Sequence, residues 1–129
     1  TLIAGITTTE TLTPGYVLVI TEPASRLVKL ECTYKILTSV NDDTFIFRIR
    51  QDNLLGSVIG TDVRTVRTAG FGLEFGCTAF VLGTGETNTY VLSAQRIGGS
   101  GSLSVLVQNV DMNVFLGYDV GDTRRLTVV

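Results

Sequence analysis

The sequence predicts an all-β fold, an antiparallel sandwich or barrel of about eight to ten short strands. Three observations carry that expectation. Apolar and polar residues alternate along most of the chain, and helical periodicity is nearly absent. Turn-forming clusters recur roughly every 8–12 residues. Glycine is plentiful and proline scarce, 14 against 2, as many short strands joined by tight turns require.

Taken in order, Thr1 to Thr13 is threonine-rich and runs into a Pro14-Gly15 turn, after which Tyr16–Thr21 reads as a strand. Glu22-Pro23-Ala24-Ser25 breaks it. From Val28 the alternation is clean: Val28, Leu30, Cys32, Tyr34 and Ile36 face one way, and Lys29, Glu31, Thr33 and Lys35 the other. Asn41-Asp42-Asp43 forms a turn, and Thr44–Arg50 follows with Phe45, Phe47 and Ile49 on one face and Ile46, Arg48 and Arg50 on the opposite one. Asp52-Asn53 ends that strand ahead of a weaker apolar segment at Leu54–Ile59, and Val63 and Val66 mark an irregular edge strand. Leu73–Leu82 resumes strict alternation, with Leu73, Phe75, Cys77, Ala79 and Val81 together. Tyr90–Gln108 reads as a β-hairpin turning through Gly98-Gly99-Ser100-Gly101, with Leu103, Val105 and Val107 in phase after the turn. Asp111-Met112-Asn113 is a further turn, Val114–Tyr118 a short strand and Arg125–Val129 a terminal one.

A chain of 129 residues with 44% hydrophobic and 17% charged residues suits one folded domain over residues 1–129 with a sizeable core. Ten basic residues are scattered among twelve acidic ones for a net charge of −2, and they form no stripe that would grip nucleic acid. The longest apolar run, Tyr16–Ile20, falls far short of the roughly 20 residues that span a bilayer as a helix, so no membrane insertion is expected. The chain begins at Thr1 without a charged leader, as expected of a processed product or an excised domain. With no histidine, Ser-His, Cys-His and His-metal chemistry is excluded. Two cysteines alone cannot build a zinc site, and neither a P-loop nor a dinucleotide fingerprint is present. A non-enzymatic protein without cofactor is the expectation.

Three segments carry a family resemblance: Asp43-Thr44-Phe45-Ile46-Phe47-Arg48-Ile49-Arg50 with Asp52-Asn53, Thr89–Arg96 with Gly98-Gly99-Ser100-Gly101, and Arg125–Val129. In order and spacing they resemble the jelly roll of tumour necrosis factor and the complement globular heads, particularly its phage and virion members. The resemblance covers about the last two-thirds of the chain. It implies a ten-stranded antiparallel two-sheet jelly-roll sandwich, a homotrimer, and a place on a virion surface as a spike, fibre tip or capsid decoration. Partners would then be other virion structural proteins or a host surface receptor. A receptor- or carbohydrate-binding head of a fibre or spore-surface filament is the alternative it leaves open.

Individual residues sharpen these expectations. Ile46, Phe80 and Leu106 are apolar residues on otherwise polar strand phases, and a subunit interface would cover all three; isolated exposed hydrophobes are the plainer reading. The loops Gly83–Asn88 and Gly60–Gly72 are candidate contact surfaces, with Thr84, Glu86 and Asn88 at the centre of the first. Cys32 and Cys77 lie on apolar phases and read either as a disulfide or as two small buried thiols. Loop aspartates, notably Asp119 and Asp122, have the oxygen donors of a Ca²⁺ site, but turn stabilisation is their usual work. A carboxylate-pair glycosidase has little support without a tryptophan for sugar stacking. Arg48, Arg50, Arg64 and Arg67 suit either salt-bridged strand faces or an anion site.

Overall fold

The computed structural model describes residues 2–70, 72–106, 115–122 and 124–129, with the backbone alone at residues 2–4, 14, 73 and 106. Ten strands occur among these residues: β1 (Leu2–Ile6), β2 (Thr11–Thr21), β3 (Leu27–Thr38), β4 (Asp43–Gln51), β5 (Val58–Val66), β6 (Leu73–Leu82), β7 (Thr87–Gly98), β8 (Leu103–Leu106), β9 (Phe115–Asp119) and β10 (Arg124–Arg125). Every pairing is antiparallel. One sheet runs β1-β8-β3-β6, extended by β9 and β10, and the other runs β2-β7-β4-β5. From β1 to β8 the chain changes sheet at every connection except β4–β5, which makes this a jelly roll.

The strand faces follow from period-two alternation. Val28, Leu30, Cys32, Tyr34 and Ile36 of β3 are wholly buried, as are Phe45, Phe47 and Ile49 of β4. These two stripes meet across the sandwich, where the Tyr34 and Phe47 rings stack with centroids 4.3 Å apart. Each such side chain contributes about 1.5–3 kcal/mol by leaving water. Tyr16, Leu18 and Ile20 from β2 and Tyr90, Leu92 and Ala94 from β7 complete the same core. Cys77 and Ala79 of β6 are buried in it, and Phe75 and Val81 pack partly against it.

The structure corrects several boundaries. The Tyr90–Gln108 segment is not a hairpin, because β7 belongs to the four-stranded sheet and β8 to the six-stranded one. The turn between them carries the chain across the sandwich and is built around Asp43, whose buried carboxylate accepts the Ser100 and Gly101 amides at 3.1 and 2.7 Å. Gly99 is required there: its φ is +94°, and a Cβ would lie 1.8 Å from Asp43 Oδ1. Pro14-Gly15 is not a turn before a strand but an irregularity within β2, where the register to β7 shifts between Leu12 and Val17. Val63 and Val66 lie in the expected edge strand, β5, paired with β4, and the Gly60–Gly72 loop reading fails up to Val66. The terminal strand shrinks to Arg124–Arg125 and one bridge from Val128 to Ile20. The turn expected at Asp111-Met112-Asn113 lies outside the described residues.

β6 covers one edge of β3 from Leu27 to Ile36, so β8 and β9 share the other edge and lie end to end along it. After β10 the tail crosses the open side of the sandwich, the Leu126 amide donating to Gly117 O and the Val129 amide to Val19 O of β2.

Candidate docking surface

Two outer sheet faces are available for function, and they differ in chemistry. On the four-stranded sheet, Arg48 and Arg50 project outward from β4, as their phase opposite Phe47 and Ile49 dictates. Glu10, from the segment between β1 and β2, lies over them. Its carboxylate accepts from Arg48 Nη1 at 3.0 Å, Arg50 Nε at 2.6 Å, Arg50 Nη2 at 2.9 Å and Ser93 Oγ at 2.7 Å. The Arg50 hydrogen bonds above all hold the Glu10 carboxyl below its ordinary range, against the opposing effect of burial. Arg48 also donates to Gln95 Oε1, and the Gln95 amide to Thr8 O. The arginines therefore serve the salt-bridged reading: they latch the Thr8–Glu10 segment to the sheet. Arg64 likewise pairs with Asp62 at 3.0 Å and Arg67 with Asp42 at 3.1 Å.

The outer face of the six-stranded sheet is apolar at one end. Odd-numbered residues of β3 and even-numbered residues of β6 point outward, and the register sets them in rows. Leu27 is opposite Leu82, and the Val120 amide donates to Leu27 O. The next row is Phe80, Lys29, Tyr118 and Arg125, straight across β6, β3, β9 and β10. Leu27, Phe80 and Leu82 are 47, 54 and 68% exposed. Beside them Lys29, Glu31, Tyr118, Asp119 and Val120 line a shallow hollow of about 240 Å³. Lys29 Nζ lies 3.1 Å from Glu31 Oε2, an exposed pair that contributes little to stability. The floor is fixed by Asp119, whose buried carboxylate faces Arg26 Nε at 3.2 Å as an ion pair without aligned hydrogen bonds. A larger gap of about 500 Å³ lies between Thr21 and the 124–129 tail.

Of the interface candidates, Phe80 stands on this apolar face. Ile46 is half-buried on the opposite outer face, between Gln95 and Val63 in the register. Leu106 is paired with Lys35 and Leu2 at the far end of the six-stranded sheet, and its side chain lies outside the described residues. The three do not converge within one chain. Thr84 is exposed and Asn88 half-buried: the Thr84 amide and Asn88 Nδ2 donate to Glu22 Oε1, and Tyr90 Oη donates to Glu22 Oε2. Glu86 is exposed, its carbonyl accepting the Glu22 amide. Cys32 and Cys77 are cross-strand partners and buried free thiols. Among the described residues no three His, Cys, Asp or Glu side chains gather as a metal site, and Asp119 is committed to Arg26. Sequence reasoning missed Leu27, Leu82, Tyr118 and Val120, although Leu82 shares the phase of Phe80 and Leu27 that of Lys29.

No family model matches the sequence, and no curated protein does. Solved structures of low sequence identity are similar to it. The sugar-binding C-terminal domain of EclA is 14% identical over 81% of this chain and 73% of its own, with a TM-score of 0.46. A structure of the infectious bursal disease virus Gx strain is 15% identical over 81% of this chain and 28% of its own, also at 0.46. A CBM4 domain is 10% identical over 81% and 76%, at 0.41.

Proposed function

We propose that the protein is a non-enzymatic structural module of a virion or other extracellular surface, working as a homotrimer whose subunits meet on the outer face of the six-stranded sheet. One observation carries this reading. The Glu10 segment is latched across the outer face of the four-stranded sheet, which otherwise exposes Val17 and Val63, whereas Leu27, Phe80 and Leu82 gather at one end of the outer face of the six-stranded sheet with nothing over them among the described residues. The virion part of the reading rests on the likeness of Asp43–Arg50 and Thr89–Arg96 to phage and virion jelly rolls. Spike, fibre tip and capsid decoration all suit a rigid sandwich that displays its loops. Other virion proteins or a host surface receptor would be its further partners. Light scattering on the full chain is the test. The expected mass is that of three 13.9 kDa chains, falling to one for Phe80→Asp; a single-chain mass for the wild type overturns the reading.

A carbohydrate-binding head is the second reading. The observation that favours it is the placement of Phe80 and Tyr118 on either side of Lys29, two aromatic rings flanking a charged hydrogen-bonding group. Binding on a glycan array that Tyr118→Ala abolishes, with the mass unchanged, would establish it in place of assembly.

A further inference from the structure

We propose that the seam between subunits is head-to-tail: Leu55 of one copy seats in the Lys29–Tyr118–Val120 hollow of the next. The proposal rests on the self-assembly reading above and names its contact.

Leu55 stands at the tip of the β4–β5 loop and is 96% exposed. The loop that holds it out is rigid. Arg50 Nη1 donates to Gly56 O at 2.7 Å, the Leu55 amide to Asn53 Oδ1 at 2.8 Å, and the Gly56 amide to Asn53 O at 3.0 Å. The Asp52 amide ties the loop base to Thr89 O of β7 at 2.9 Å. Gly56 is obligatory, since a Cβ there would lie 1.6 Å from Gln51 O. A fully solvated leucine on a pre-ordered loop is an anchor whose ordering cost is already met, the property that makes a docking side chain effective.

The chain carries a matching receptor. The hollow is walled by the Tyr118 ring, Val120 and the Lys29 stem, with Leu27, Phe80 and Leu82 beside it. The charges match as well. Around it stand Lys29, Arg26, Arg124 and Arg125 against Glu31, Asp119 and Asp122, one net positive charge, and the Leu55 loop contributes the exposed Asp52.

Position decides the geometry. The short Glu22–Arg26 and Gly83–Glu86 connections bring the end of β2 beside the start of β3, and the end of β6 beside the start of β7. Gln51, at the end of β4, pairs with Tyr90 near that start of β7, so Leu55 and the hollow lie at the same end of the sandwich but on different sheets. Rotation about an axis along the strands brings the anchor of one copy level with the hollow of the next without translation. A heterologous contact of that kind closes into a ring of three when the rotation is one third of a turn.

The experiment is a sedimentation series on the full chain. Leu55→Asp and Val120→Asp are each expected to lower the mass threefold, with far-UV circular dichroism unchanged. An equimolar mixture of the two is expected to recover a dimer, because Leu55 of the Val120→Asp chain meets the intact hollow of the Leu55→Asp chain. A wild-type trimer that survives Leu55→Asp, or a mixture that stays monomeric, overturns the head-to-tail contact and leaves the trimer standing. A wild-type monomer overturns both.

Discussion

Tyr34 shows how much one side chain does here. Its ring stacks on Phe47, and its hydroxyl donates to Asp62 Oδ2 at 2.6 Å, linking the six-stranded sheet to the β5 edge of the other. Burial and the Asp62 carboxylate push its phenol far above the ordinary range. Phe47→Ala is expected to cost about 3–5 kcal/mol in urea denaturation, because the ring is fully buried and its loss leaves a cavity. Tyr34→Phe keeps the stack and removes one hydrogen bond while Asp62 retains Arg64, so about 1 kcal/mol is expected. Burial likewise pushes the Cys77 thiol up to about 12 and Cys32 well above its ordinary value. Both are therefore protonated near neutral pH and shielded. Iodoacetamide is expected to add nothing to the native protein and two groups to the urea-unfolded one; rapid native labelling would contradict the burial.

The strands were legible wherever a local rule decides their faces. The alternation in β3 and β4 names buried residues because successive side chains must point to opposite faces of a sheet. The crossover after β7 was not legible, since two alternating segments joined by Gly98–Gly101 satisfy a hairpin and a change of sheet equally well. Asp43, 57 residues away from Ser100, decides between them. Asp43→Ala is expected to destabilise the protein by about 1–3 kcal/mol in a chemical melt, because two amides lose their acceptor. The Glu10 latch is equally non-local, lying 38 and 40 residues from its arginines. Since the folded state holds the Glu10 carboxyl below its ordinary value of 4.5, the latch is complete above that value and is lost as pH falls through the lower folded one. Between about pH 6 and pH 3, wild-type melting temperatures are expected to fall further than those of Glu10→Gln, and parallel curves would dismiss the latch.

At the scale of the molecule, the sequence by itself determined the class. Alternation and glycine-rich turns define a β-sandwich, and the absence of histidine removes Ser-His, Cys-His and His-metal chemistry from it. It also marked Phe80 as a large apolar residue on a polar phase. Only the tertiary structure decided which strands share a sheet, which outer face is latched, and that Leu27, Leu82, Tyr118 and Val120 gather beside Phe80. The physical reason is range. The facing of a side chain is fixed by backbone geometry within two residues, whereas neighbours across a sheet are fixed by pairings between segments as much as about a hundred residues apart, such as Leu2 with Leu106.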